Sequence, residues 1–159
     1  MLVAAALALS LLGQGDGAQI DTRTVRVGEW TAKIRRDKFT GDVACALSEG
    51  RISFHRDTLV FHLGARVDTS EAYFRVDDGP VRSAREPRLE NETHGFFLDH
   101  GSIGNPSGGE VALPLSIVRD ARRVLIRASP KVQPRAFDLS RFAEALAAAK
   151  AAGCTDGSF

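Results

Sequence analysis

The residues of this chain best able to do chemistry are its four histidines, His55, His62, His94 and His100. Imidazole is the commonest metal ligand and the usual catalytic base. His55 and His62 stand seven apart. On one continuous strand they have opposite parity; in a hairpin they share a face but lie about four residues, or ~13 Å, apart along it. Neither arrangement lets them hold one metal. His94, Asp99 and His100, with Glu92, are closer in sequence and could form a two-histidine, one-carboxylate metal site. No HExxH or HxH spacing accompanies them. Ser102 and Ser107 complete a Ser/His/Asp set on paper, but there is no GxSxG elbow, and triad members usually come from distant segments. A metal-dependent or Ser/His hydrolase centred on His94, Asp99 and His100 is therefore the alternative function, and no cofactor is expected.

Arginine offers a second chemistry. Asp78–Gly79 reads as a two-residue hairpin turn, which sets Val81 opposite Val76 and Arg75 opposite Arg82. Like charges directly across a ladder are unfavourable. A cluster of Arg75, Arg82, Arg85 and Arg88 would instead receive a carboxylate, phosphate or sulfated ligand, or an acidic partner surface. Neutralisation by Glu71, Asp77 or Glu86 would remove that motive. The stretch GSIGNPSGGE at 101–110 lacks the GxxxxGK[ST] pattern of a phosphate loop and reads as a loop by composition.

These groups must be held by a body of ordinary size. The chain has 159 residues, 43% apolar and 26% charged, which fits one domain with a real core and argues against disorder. A net charge of +1 gives no electrostatic reason to expect nucleic acid. Residues 1–18 read as a signal peptide: Met1–Leu12 is an uncharged apolar run of about 12, too short for a membrane span but right for an h-region, followed by small residues near a cleavage site. Export to an oxidising compartment makes Cys45 and Cys154 most simply a disulfide. Neither a CxxC nor a neighbouring histidine suggests a reactive or metal-binding thiol.

Short strands separated by turn chemistry fill the first two-thirds of the mature chain. Thr24–Arg35 alternates with one break at Gly28, where a bulge is expected. Phe39–Asp42 is a turn, and Val43–Leu47 is an apolar run carrying Cys45. If Arg56–Asp57 is a two-residue turn, Phe54 pairs with Leu59 and Ile52 with Phe61, and Leu63 joins them on one face. Ala72, Phe74 and Val76 alternate, and Phe96–Leu98 suggests a further strand. Pro114 opens a helix to about residue 122, and Val124–Ile126 is β-type. The last helix, 139–153, carries the stripe Leu139, Phe142, Ala143, Leu146 and Ala149, with Asp138 or Ser140 as cap and Gly153 as stop. The fold class is α+β: an antiparallel sheet or small β-sandwich, residues 19–159, with one or two C-terminal helices packed on it.

Several of these pieces together resemble small exported proteobacterial proteins. They are the Trp30 strand, the Tyr73–Gly79 hairpin, Leu113–Pro114–Leu115 with Val124–Arg127, and the ending Phe137–Asp138–Leu139 through Leu146 to Gly153–Cys154. The arrangement looks like the invasion-associated-locus-B-like proteins, and like the accessory periplasmic protein (VasI/TagO type) of type VI secretion. It departs from the type VI proteins in having no cysteine on the Leu59–Leu63 strand, and from the locus-B-like group in lacking its additional cysteines. The resemblance implies an envelope protein that acts by binding, with no catalytic residues to carry over. The expected product is a periplasmic or secreted, non-enzymatic binding or accessory protein, without a transmembrane segment in the mature chain. Its partner would be an envelope protein or a small anionic ligand, met at the Arg75/Arg82 hairpin and the 101–110 loop.

Overall fold

The computed structural model describes residues 19–86 and 106–159. Within them, two antiparallel sheets and two short helices share one core. The larger sheet runs β1 (Ile20–Val27), β2 (Trp30–Asp37), β3 (Val43–Glu49), β4 (Ile52–His55), β5 (Thr58–His62) and then β8 (Glu110–Pro114). The smaller has the order β10 (Arg135–Asp138), β9 (Arg123–Arg127), β6 (Tyr73–Val76), β7 (Arg82–Ser83). Helix α1 (Leu115–Val118) follows β8, and α2 (Phe142–Ala151) follows β10.

The β4–β5 hairpin sets the register of the larger sheet. Arg56 and Asp57 both adopt left-handed φ, 41° and 59°, the conformation that a two-residue turn of matching twist demands. Ile52 accordingly faces Phe61 and Phe54 faces Leu59, as the alternation predicts. With Leu63 these residues are buried on the inner face. The opposite parity, Ser53, His55, Val60 and His62, is thereby turned to the outer face.

Helix α2 closes the inner face over β1–β3. Phe142, Ala145 and Ala149 form its buried stripe. The Phe142 ring lies 5.1 Å from Trp30 and 5.5 Å from Phe54, between centroids, and Phe54 in turn meets Phe159 at 5.0 Å. Gly153, at φ 111°, ends the helix: its N–H donates to the Lys150 carbonyl and that of Cys154 to Ala149. The chain then reaches β3, where Cys154 is bonded to Cys45, 109 residues earlier. The smaller sheet joins the same core through Phe74, Val124, Ile126 and Phe137, with Phe137 5.1 Å from Phe61.

Four expectations change. Gly28 is not a bulge but the first residue of the Gly28–Glu29 turn, since Val27 pairs with Trp30. Glu110 and Pro114, read as the end of a loop and the start of a helix, bound a strand, β8, which pairs with β5 along its whole length. Helix α1 is a single turn and does not run on to residue 122. Asp138 ends a strand rather than capping a helix; α2 starts at Phe142, so Leu139 is buried ahead of it and Ala143 is exposed. The proposed Phe96–Leu98 strand lies outside the described residues.

Candidate anion-binding site

The arginines of the β6–β7 hairpin divide into two groups, and a one-residue register shift divides them. Phe74, not Arg75, pairs with Arg82. The turn has three residues rather than two, because Asp77 adopts φ 48° and is held by β9. Its carboxylate accepts from the N–H groups of Arg122 (3.0 Å) and Arg123 (2.9 Å), and its own N–H donates to the Arg123 carbonyl. Pro80 has no N–H to close the hairpin, and Gly79 donates to the Val76 carbonyl instead. A shift of one flips side chains to the other face. Arg75 and Arg82 therefore do not confront each other across the ladder, contrary to the two-residue reading, and Val81 does not face Val76.

Arg82 and Arg85 are neutralised locally. Arg82 lies 3.5 Å from Glu86 and stacks over the Phe74 ring at 5.5 Å, and Arg85 lies 3.5 Å from Glu71. Arg88 lies outside the described residues. Arg75 is different. It sits beside Leu125 on the outer face of the smaller sheet, where Tyr73 pairs with Arg127. The four side chains form a diagonal pattern, two cations and two apolar bodies. Together with Val81, Pro130 and Pro134 they line a groove of about 390 Å³. Among the described residues, neither Arg75 nor Arg127 has an acidic group within 4 Å. Arg127 was not a candidate from sequence, because its neighbour across the ladder is Tyr73, on a strand far earlier in the chain. The signal was the alternation Arg123–Leu125–Arg127, which puts two arginines and a leucine on the face opposite the buried Val124 and Ile126.

No protein-family model, no curated protein and no solved structure matches this chain.

The remaining polar clusters are of other kinds. Glu29, Glu49 and Asp138 line a cleft beside Trp30 and Arg141. Burial, and then the carboxylates of Asp138 and Glu29, push Glu49 above its ordinary value. Hydrogen bonds from the backbone and hydroxyl of Ser140 hold Asp138 below its own. His94, Asp99 and His100 lie outside the described residues, as do residues 101–105 of the Gly-rich loop. Among the described residues, no three His, Cys, Asp or Glu side chains are grouped to hold a metal ion. His62 instead bridges strands: its Nδ1 lies 3.3 Å from Glu110 Oε1 on β8, and its Nε2 lies 3.1 Å from Ser53 Oγ on β4. Sequence could not reveal this set, because Glu110 was read as the end of a loop.

Proposed function

We propose that the protein is an exported, periplasmic or secreted binding protein of the cell envelope. In this proposal it belongs with the invasion-associated-locus-B-like and VasI/TagO-like proteins, and its sheets act as a small β-sandwich presenting the Tyr73–Arg127 groove. The ligand is an amphipathic anion, a carboxylate or phosphate head carried on an apolar body. One observation carries this: Arg75 and Arg127 share an apolar groove in which no carboxylate among the described residues neutralises them. A guanidinium fork receives a carboxylate or phosphate in bidentate fashion, and each charge-assisted bond contributes about 1.5–3 kcal/mol. Leu125, Tyr73 and Val81, the last 66% exposed, would cover the apolar body. The Cys45–Cys154 bridge supports the compartment, because such bonds persist outside reducing cytosol. No helix among the described residues is long and apolar enough to cross a membrane.

The test is calorimetric titration with decyl phosphate, decanoate, decanol and decyltrimethylammonium. Saturable 1:1 binding of the two anions is expected, with decanol at least ten-fold weaker and the cation weaker still. R75A and R127A should each lower affinity for decyl phosphate about ten-fold or more. Equal affinity for the anion and the cation would remove the basis of the proposal.

A further inference from the structure

The outer face of the larger sheet carries three side chains in the order of a serine hydrolase. Ser53 Oγ lies 3.1 Å from His62 Nε2, and His62 Nδ1 lies 3.3 Å from Glu110 Oε1. In the tautomer that carries its proton on Nδ1, the nitrogen beside Glu110, the imidazole would offer the Nε2 lone pair to the Ser53 hydroxyl, as a general base requires. The three residues come from three neighbouring strands, β4, β5 and β8. Glu110 stands directly across from His62, and Ser53, which faces Val60, lies two residue pairs further along the β4–β5 ladder. A sheet fixes such spacing more firmly than a loop does.

Two further features suit the arrangement. The position of Glu110 is pinned from both sides: the Thr69 hydroxyl donates to its carbonyl at 2.5 Å, and the preceding Gly109 packs against Gly64. A Cβ on Gly109 would fall 1.9 Å from the Gly64 carbonyl oxygen, so only glycine permits this approach. The site is also open to a substrate. Ser53, His62 and Glu110 line a depression of about 480 Å³ with Ala46, Ser48 and Val60, and the His62 side chain is 40% exposed.

We infer that this face carries an acyl-transfer site that hydrolyses short-chain carboxylic esters, separate from the anion groove and independent of it. Ser53 Oγ bonds to the ester carbonyl carbon as its proton passes to His62 Nε2. That proton then goes to the departing alkoxide as the alkoxy C–O bond breaks, leaving an acyl-Ser53 ester and a free alcohol. Water attacks the acyl carbon and gives a proton to Nε2. The proton returns to Ser53 Oγ as the carboxylic acid leaves. Glu110 acts as a positioning residue that holds the imidazole and its transient positive charge. Ser48, directly opposite Ser53 in the β3–β4 ladder, offers its hydroxyl to the carbonyl oxygen. Ala46 and Val60 leave room for an acyl group of a few carbons.

The oxidised chain is incubated with an alkyl fluorophosphonate probe and, separately, with p-nitrophenyl acetate. Expected are a single covalent adduct mapping to the Ser53 peptide and a pre-steady-state burst of p-nitrophenolate. S53A abolishes both, while S83A on the other sheet keeps both. H62Q slows labelling at least 100-fold. E110Q lowers kcat about ten-fold or more with KM unchanged, and E110D restores part of it. A wild-type chain that takes no label at Ser53 overturns the inference whatever the variants do. So does hydrolysis that persists unchanged in S53A, because an exposed imidazole alone cleaves activated esters.

Discussion

The outward faces of the two sheets handle polar groups in opposite ways. On the larger sheet, Ser53, His62 and Glu110 satisfy one another across three strands. On the smaller sheet, Arg75 and Arg127 share a groove with apolar neighbours and, among the described residues, no acid. A self-satisfied set needs nothing from outside to be stable, and whatever it does must come from geometry and proton transfer. Two cations without a partner acid among the described residues are in the reverse position, and in the proposed function a ligand's charge would match theirs. The first face is thus suited to reaction and the second to recognition. The inner faces of both sheets serve one core and draw no such distinction.

The largest change expected is one that removes the frame common to both faces. Replacing both cysteines, as C45S/C154S, opens a loop of 109 residues between them. The chain-entropy model gives about 4.7 kcal/mol as the upper limit of the loss. Urea unfolding should register it, and both decyl phosphate binding and Ser53 labelling should fail together at the same denaturant concentration. Separate failure would mean that the two faces do not depend on one cooperative unit.

G109A should come next, at roughly 3 kcal/mol, because the new methyl meets backbone and the φ of 76° is strained for alanine. Near the temperature of maximum stability, the surviving folded fraction should lose Ser53 labelling while retaining decyl phosphate affinity. That asymmetry sharpens the contrast between the faces. A smaller effect separates the arginines: R82A and R85A should leave decyl phosphate affinity within about two-fold, since each already has a glutamate beside it. A ten-fold loss in R82A would merge the two groups and break the distinction.

The smallest effect belongs to neither face. Glu49 has a raised folded-state value, so its ionised form is disfavoured by folding, and the penalty is present above that value and lost as pH falls. E49Q should therefore raise the melting temperature slightly at pH 7. The difference should disappear below about pH 4, where both folded and unfolded wild-type chains carry the proton. A gain that persists there would assign it to packing rather than charge.

What sequence disclosed, and what it did not, follows from how far each feature reaches. The β4–β5 hairpin was legible as one of two readings, because a two-residue turn at Arg56–Asp57 puts Ile52, Phe54, Leu59, Phe61 and Leu63 on one face, where a single long strand would divide them. The cysteine pairing was legible from number and an expected oxidising compartment, without geometry. Strand β8 was missed because Pro114 also suits a helix start, and the glycines before Glu110 read as loop. Missing it hid the residue directly across from His62. The arginine pairing failed for a local reason, a third turn residue at Asp77, whose left-handed backbone is stabilised by contacts from Arg122 and Arg123, 45 and 46 residues away. Alternation fixes which residues share a face within one strand. It does not say which strand lies alongside.

The distance between Cys45 and Cys154 also sets an order of events during synthesis. At about 5–20 residues per second, roughly 5–20 s separate the appearance of the two cysteines. In that interval β1–β4 can pair with their sequence neighbours, but the helix that covers them does not yet exist. Trp30, Leu47 and Phe54 then face outward from a half-made sheet, beside a Cys45 still in its thiol form. Until Phe142 and Cys154 arrive, the nascent chain is open to pairing with the wrong sulfur or the wrong apolar surface. Yield on overproduction should therefore respond to chaperones that hold nascent chains and to thiol–disulfide catalysts more than to the stability of the finished protein.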